Sequence, residues 1–173
     1  MKRINLPFDR EKIRNLSIGD RLLLTGYLYT ARDAAHKRMI NALKNKEDLP
    51  IDLERETIYY VGPTPTPPGK IIGSCGPTTS KRMDPYIRDL LKLGLLATIG
   101  KGERTKEVIK IIKKFSAIYL VTFGGAGAYL SQRVKGKELV AYEDLGPEAI
   151  YKLYVEDFPV IVAIDSYGRT IFN

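Results

Sequence analysis

The sequence predicts an α/β fold with a largely parallel sheet flanked by helices and a smaller β layer. From Lys70 onward, short apolar runs alternate with amphipathic stretches of roughly ten residues, a pattern typical of βαβ units. The first sixty residues contain strand-like runs around one helix-like run, which predicts the smaller β layer. With 173 residues, 44% of them hydrophobic, the chain can bury one core. Residues 1–173 are therefore interpreted as a single domain.

The first sixty residues predict an N-terminal arm, two strands and one helix. Residues 1–20 are interpreted as an extended arm that ends in a polar turn. Residues 21–30 predict a strand rich in leucine and aromatic side chains, residues 31–44 a helix, and residues 57–62 a second strand. The proline-rich run 63–69 can form neither a helix nor a central strand. It is expected to be a stiff surface connection.

The rest of the chain predicts strands and helices in alternation. In the predicted helix 104–114, lysines lie on the side opposite an apolar stripe that includes Val108, Ile111 and Ile112. This pattern favours a solvated helix face over a nucleic-acid contact, although the net charge is +8. The predicted strands lie near 71–75, 96–100, 116–122, 137–141 and 158–164, and the predicted helices near 82–93, 104–114, 126–133 and 146–155.

Composition excludes several classes of site. Cys75 is the only cysteine and His36 the only histidine, so the chain cannot form an internal disulfide, hold an iron–sulfur cluster alone or build a Cys/His zinc site. No metal ligand is predicted. No apolar run approaches the roughly 20 residues of a membrane span, and the N-terminal residues lack the apolar core of a signal peptide. We expect a cytoplasmic protein with no membrane contact.

The helix predicted after Thr30 carries a cationic residue on its inner face. At 100° per residue, Arg32 and His36 continue the apolar stripe of Met39 and Leu43 at its N-terminal end. An inward-facing charge needs a partner. Three interpretations remain open: an anionic ligand, an internal carboxylate such as Asp33 or Asp84, or a packed histidine beside an arginine that reaches to the surface.

The segment 73–84 is the more specific candidate for an anion site. Two glycines, including Gly76, let the backbone turn and approach a ligand closely. Thr78 and Thr79 add hydroxyl groups just before a predicted helix start, where free N–H groups attract anions. Arg82 can bind a carboxylate through two parallel hydrogen bonds. The simpler alternative is an ordinary helix N-cap. The segment lacks a GxxxxGK[ST] phosphate loop, so ATP is not expected.

Two further loops follow predicted strands. Lys101 stands between two glycines after the strand near 96–100, and a glycine-rich loop, 124–128, follows the strand near 116–122. Ligands of open parallel sheets gather at the carboxyl ends of the strands. Lys101 is therefore a candidate ligand contact or a surface turn lysine, and residues 124–128 either pack a helix closely or line the site.

These segments resemble the β subunit, or C-terminal domain, of the class I fumarase and L-tartrate dehydratase family of iron–sulfur hydro-lyases. The resemblance covers about residues 5–172, and its most specific parts are 30–38 and 76–84. The proline-rich turn and the loops at 99–102 and 123–128 occupy the positions of their counterparts in the family. Long motifs in the same order make a chance match improbable.

The resemblance implies a swivelling β/β/α domain and the reversible hydration of fumarate to (S)-malate. In this family a [4Fe–4S] cluster acts as a Lewis acid, and its three cysteine ligands belong to a partner α subunit. The resemblance therefore implies a cluster-bearing α subunit and a small dicarboxylate substrate as partners. A homodimer of the isolated chain remains open, and the oligomeric state is not predicted.

Carried over residue by residue, Thr78 matches the general base of the family, and Arg32, Arg82 and Lys101 match residues that bind substrate carboxylates. His36, Thr79 and Gly76 complete the candidate substrate site. From the residues alone, Thr78 would be interpreted as a hydrogen-bond donor, because a hydroxyl needs a large pKa shift to ionise. The role of Thr78 as a base therefore comes from the resemblance.

Two alternative functions remain open at this point. A β subunit of L(+)-tartrate dehydratase, converting tartrate to oxaloacetate, would need contacts to one more substrate hydroxyl. A stand-alone dicarboxylate-binding module would bind its ligand without any partner chain. RNA binding, which only the net charge favours, ranks last.

Overall fold

One mixed sheet of seven strands organises the chain. The computed structural model describes residues 1–172. The strands are β1 (Lys2–Asn5), β2 (Arg21–Thr30), β3 (Thr57–Tyr59), β4 (Ala97–Gly100), β5 (Ile118–Val121), β6 (Val134–Ala141) and β7 (Ile150–Ile164). The helices are α1 (Arg10–Arg14), α2 (Asp33–Lys44), α3 (Ile87–Lys92), α4 (Lys106–Lys114) and α5 (Gly127–Ser131), with 3₁₀-helices at Ser80–Tyr86 and Glu143–Glu148.

The pairing of β2 with β7 turns part of this sheet into a closed ring. The strand order is β1-β2-β3-β4-β5-β7-β6, and β2 also pairs with β7. The ring therefore runs β2-β3-β4-β5-β7 and back to β2. Pairings from β1 to β5 are parallel, whereas the three pairings of β7 are antiparallel. Each strand of the ring therefore has a neighbour on both sides, whereas β1 and β6, at the ends of the strand order, each keep one edge.

Side chains of successive strand residues enter two different cores. In β3 and its extension, Tyr59 packs in one apolar cluster, whereas Ile58 and Tyr60 pack in a second one with the helices. In β5, Leu120 belongs to the first cluster and Tyr119 to the second. This alternation follows from the two-residue period of a strand. The first cluster receives side chains from all five strands of the ring, and the second lies between sheet and helices.

Most of the predicted elements are confirmed, with shifted ends. Strand 21–30 and the helices near 31–44 and 104–114 are present, and lysines of α4 are exposed opposite its buried stripe. The prolines at 63–68 lie outside helices and strands. The strands of the first sixty residues do not form a separate layer, because β1, β2 and β3 belong to the same sheet as the others.

Two predicted elements are wrong. Of the helix predicted over 146–155, residues 150–155 are the first part of β7 and residues 146–148 end a 3₁₀-helix. The β-branched and aromatic residues of β7 favour a strand, and Leu153 and Val155 alternate inward. The strand predicted over 71–75 is irregular. Its Ser74 exchanges two hydrogen bonds with Thr64 of the proline-rich loop, at 2.9 and 2.8 Å, and the prolines there lack the N–H groups that a longer ladder requires.

Within residues 1–172, no helix is both long and apolar enough to cross a membrane.

Candidate active site

The loops that follow the parallel strands meet at one end of the sheet. β2 leads into Arg32, β3 into Gly62, β4 into Lys101 and β5 into Gly124. Because these strands are parallel neighbours, their carboxyl ends lie at the same edge, where the sequence predicts a site.

Thr78 and Lys101 are held beside each other by the backbone. The N–H of Thr78 donates to the carbonyl of Tyr60 at 2.8 Å, and the N–H of Lys101 donates to the carbonyl of Thr78 at 3.3 Å. In return, the N–H of Ser80 donates to the carbonyl of Lys101 at 3.0 Å. Residues 78–80 therefore extend the sheet between the ends of β3 and β4. The hydroxyl of Thr78 takes part in none of the side-chain hydrogen bonds found among residues 1–172, while the Thr79 side chain is exposed.

Arg82 and Arg32 are brought together by Asp33. The Nε and Nη2 atoms of Arg82 lie 3.0 Å from Oδ2 of Asp33. The Nε atom of Arg32 lies 3.8 Å from Oδ1 of the same carboxylate, and both of these atoms are buried without a hydrogen-bond partner. Asp33 therefore contacts both guanidinium groups, and its contacts with Arg82 do not involve Nη1. The internal carboxylate that the sequence left open for Arg32 is Asp33.

Close packing fixes the position of Arg32. A Cβ atom at Gly62 would lie 2.9 Å from Cδ and 3.1 Å from Nη1 of Arg32, so the guanidinium lies directly on the backbone of the loop after β3. On its other side, the main-chain carbonyl of Arg32 is 2.7 Å from Nδ1 of His36. A carbonyl only accepts, so Nδ1 carries the proton of the neutral ring.

His36 lies beneath the surface. Its side chain is buried, and its ring packs against Tyr60 and Tyr86 at centroid distances of 5.4 and 5.8 Å. Burial lowers the pKa of His36 to about 4, so the imidazole is neutral near pH 7. Its contact with the site passes through the carbonyl of Arg32. Direct contact between His36 and a substrate stays a prediction.

The glycine-rich loop both packs closely and borders the site. A Cβ at Gly127 would lie 2.2 Å from Oγ of Ser74 and 2.9 Å from the amide nitrogen of Gly76, so only glycine allows the 73–76 turn to approach α5. A Cβ at Gly124 would lie 3.5 Å from Cδ of Lys101. Lys101 therefore extends along this loop with its ammonium group exposed.

The segment 80–86 is a 3₁₀-helix of seven residues, and its N-cap residue Thr79 makes no side-chain cap hydrogen bond. The simple N-cap interpretation is therefore wrong, and so short a helix does not provide the helix N-terminus expected to attract anions. An anion bound here would depend on side chains.

A buried ion pair that the sequence did not predict lies below the 3₁₀-helix 80–86. Arg104 donates through Nε to Asp84, and the two side chains are 0% and 8% exposed. Asp84 also accepts from the N–H of Thr105 at 2.9 Å. Asp84 was a candidate partner for Arg32, but it binds Arg104 instead. Arg104 follows a glycine and a glutamate in a polar loop, so no sequence pattern marks it as buried.

The described residues do not fit an iron–sulfur cluster. Burial raises the pKa of the Cys75 thiol to about 12, so it stays protonated, whereas cluster ligands are thiolates. Within residues 1–172, no group of three or more His, Cys, Asp or Glu side chains is arranged to hold a metal ion. Residues 1–172 therefore provide no complete ligand set for a cluster.

Two wide recesses are lined by residues other than Arg32, Arg82 and Lys101. One, of about 690 Å³, is lined by Thr64, Ser74 and Ala128. The other, of about 660 Å³, is lined by Phe123, Tyr129 and neighbouring residues. The Arg82 side chain is 50% exposed and lines neither recess.

Known proteins of one family are similar to this chain over nearly its whole length. The sequence model of the family described as "Fumarase C-terminus" matches residues 1–173. Fumarate hydratase 2 of Leishmania major is 38% identical over 172 residues, which is 96% of this chain and 30% of the relative. The aerobic class I fumarate hydratase of Escherichia coli (strain K12) is 40% identical over 175 residues, covering 98% of this chain and 32% of the relative.

A shorter relative matches over most of its own length. A protein of Methanocaldococcus jannaschii assigned as L(+)-tartrate dehydratase subunit beta is 39% identical over 170 residues, covering 95% of this chain and 87% of the relative. The chain spans about a third of the length of the fumarate hydratases that it matches. Since the family model covers the whole chain, the protein belongs to the fumarase C-terminus family.

Proposed function

We propose that this chain is the substrate-binding β subunit of a hydro-lyase that converts fumarate and (S)-malate into each other. The observation that carries the proposal is the placement of Arg32 and Arg82 around Asp33, at the same edge of the sheet as the hydrogen-bonded pair Thr78 and Lys101. A small dianion needs cationic groups for each carboxylate and a proton carrier at the reacting carbon, and this edge supplies both.

Each side chain has a distinct part in the proposed reaction. Arg32 and Arg82 bind the substrate carboxylates, since guanidinium groups match carboxylates with two parallel hydrogen bonds. Lys101 adds a positive charge next to Thr78 and favours the ionised form of its hydroxyl. Thr78 removes the proton from malate in one direction and returns it to the double bond in the other. Thr79 and Gly76 border the bound substrate, and His36 acts on it through Arg32.

The proposal assigns the [4Fe–4S] cluster to a partner α subunit. The chain spans about a third of the fumarate hydratases that it matches, and a relative of similar length is a subunit beta by name. The single buried cysteine of this chain does not fit the cluster. The bound cluster would supply the Lewis acid, and the residues of this chain would supply carboxylate binding and proton transfer.

Expectations about the fold type, the location in the cell and the assembly are part of the same proposal. We infer that the seven-stranded sheet and its helices are the swivelling β/β/α domain of the family, and that the protein works in the cytoplasm without nucleic acid. Size-exclusion chromatography of the isolated chain and of the mixture with its partner would determine whether it is a monomer, a homodimer or a heteromer.

Anaerobic co-expression with the cluster-bearing partner tests the function. Conversion of fumarate to malate is expected for the wild type, with a loss of at least 100-fold in kcat for Thr78→Ala and in kcat/KM for Arg82→Ala. Arg14→Ala is the matched control, since Arg14 is an exposed arginine of α1. Wild-type activity in Thr78→Ala or Arg82→Ala would contradict the assigned roles.

The same preparation distinguishes the alternatives. The identity to a subunit beta of L(+)-tartrate dehydratase makes tartrate the second candidate substrate. A higher kcat/KM for tartrate than for fumarate would establish it. Dicarboxylate binding by the isolated chain, together with no activity in the complex, would instead support a stand-alone binding module.

A further inference from the structure

We propose that Tyr119 is a positioning residue, whose phenol locks the loop carrying Thr78 to the loop carrying Lys101. The proposal rests on the proposed function, because it assigns Tyr119 a part in aligning the two residues for proton transfer. Tyr119 lies on β5, and its ring is fully buried in the apolar cluster between sheet and helices. It acts through its neighbours and does not touch the substrate.

The hydroxyl of Tyr119 bridges the two loops. Its oxygen lies 2.7 Å from Oγ of Ser80 and 2.7 Å from the carbonyl oxygen of Gly102. A phenol carries one proton and a carbonyl only accepts, so Tyr119 donates to Gly102. Ser80 must then donate to the oxygen of Tyr119. Burial raises the pKa of Tyr119 above its ordinary value, so the phenol keeps the proton that this chain of hydrogen bonds requires.

The bridged residues adjoin the proposed catalytic pair. Ser80 lies two residues after Thr78, and Gly102 directly follows Lys101. The main-chain hydrogen bonds between these loops are those from Ser80 to Lys101 and from Lys101 to Thr78. Gly100 makes room for the bridge, since a Cβ there would lie 1.9 Å from Oγ of Ser80.

A buried ion pair ties the same two loops a second time. Arg104 continues the loop of Lys101 and binds Asp84 of the 3₁₀-helix that carries Arg82. The guanidinium of Arg104 lies 4.9 Å from the ring centroid of Tyr119 and 5.4 Å from that of Tyr60. Removal of one member of a buried ion pair leaves an uncompensated charge and is strongly destabilising. The hydroxyl of Tyr119 is therefore the better position for a test.

The test begins with Tyr119→Phe in the isolated full chain. The ring stays, and only the bridging hydroxyl is lost. Tyr167→Phe is the matched control, because the hydroxyl of Tyr167 also donates to a main-chain carbonyl, that of Arg14 at 3.2 Å. Tyr167 follows the C-terminal end of β7, at the end of the sheet opposite to the candidate site. Exchange of the amide hydrogens of Ser80 and Lys101 is measured by NMR. Each is expected to exchange at least tenfold faster in Tyr119→Phe, with no change for Ile118, which donates to Leu96 within the sheet.

Ser80→Ala removes the other side of the same hydrogen bond and is expected to raise the same two exchange rates. It serves as the second variant should Tyr119→Phe fold poorly. Unchanged exchange at Ser80 and Lys101 in both variants would overturn the bridge.

Kinetics of the complete enzyme test the link to the reaction. Tyr119→Phe is expected to lower kcat/KM about tenfold or more in the wild-type background, because small misplacements of catalytic groups have large kinetic effects. In a Lys101→Ala background, the same change is expected to cost less than threefold, since residues that act as a unit are not additive. A merely structural role predicts the same factor in both backgrounds and would overturn the proposal. An inactive wild-type complex would refute the proposed function, while amide exchange would still decide whether the bridge exists.

Discussion

Replacing Gly62 with alanine tests whether the position of Arg32 matters to the reaction. A Cβ at this residue would lie 2.9 Å from Cδ and 3.1 Å from Nη1 of Arg32. Gly62 does not have a left-handed backbone, since its φ is outside the positive range, so alanine is compatible with the local conformation. The substitution therefore acts on the arginine side chain and not on the fold.

The size of the effect follows from these distances. Carbon atoms in ordinary contact are about 3.5–4.0 Å apart, so the Arg32 side chain must move by about 0.6–1.1 Å. This displacement is enough to weaken one charge-assisted hydrogen bond to a carboxylate, worth about 1.5–3 kcal/mol. At about 1.4 kcal/mol for each factor of ten, kcat/KM should fall by about 10- to 100-fold. The free energy of unfolding should change by less than about 1 kcal/mol, since the displaced atoms belong to a flexible side chain.

The assay is conversion of fumarate by the complex with the cluster-bearing partner, alongside urea unfolding of the isolated chain. Gly124→Ala is the matched control. Its Cβ would lie 3.5 Å from Cδ of Lys101, an ordinary contact, so kcat/KM is expected to stay within threefold of the wild type. Wild-type kinetics in Gly62→Ala would refute the placement of Arg32 in the substrate site.

Three further predictions concern single side chains. Arg82→Lys should lower kcat/KM about tenfold or more, because one ammonium cannot bind Asp33 and a substrate carboxylate together, while unfolding changes by less than about 1 kcal/mol for this half-exposed pair. The pKa of His36 is about 4 in the fold and about 6.5 when unfolded. The contribution of neutral His36 to the free energy of unfolding is therefore fully present above about pH 6.5 and is lost as the pH falls towards 4. In urea titrations, the free energy of unfolding should drop by about 2 kcal/mol between pH 7 and pH 5. His36→Gln should remove most of this pH dependence. Cys75, buried with a pKa of about 12, should resist a thiol-modifying reagent until the chain is unfolded, and rapid labelling of the native protein would contradict its burial.

Local patterns were enough to predict some of the elements around the site, but not the irregular segment 71–75 or the 3₁₀-helix 80–86. The helix 106–114 has a strict apolar stripe, and the strand 21–30 is bounded by turn residues, so both follow from periodicity. Their order along the chain predicts that loops after parallel strands share one edge. Arg32 and Lys101 lie in such loops, and the structure places both there.

Long-range pairing explains what the sequence could not predict. Residues 150–155 contain both helix-like and strand-like patterns, and their strand is decided by partners on both sides, β2 and β6. The role of Arg104 is hidden for the same reason. Its loop is polar, and only the distant tyrosines at positions 60 and 119, with Asp84, make burial of its charge acceptable. Contacts across 15 or more residues leave no local signal.

The balance of charge in the site supports a doubly charged substrate. Arg32, Arg82 and Lys101 carry three positive charges, and Asp33 carries one negative charge, so these four side chains have a net charge of +2. Without Asp33 the two arginines would repel each other next to a further cation. With it, they stay close together, and the remaining charge equals that of a dicarboxylate. A monoanion would leave one of these positive charges without a partner, which costs free energy to the extent that the bound ligand shields it from water. Under the proposed function, the carboxylate of Asp33 would therefore serve selectivity as well as structure.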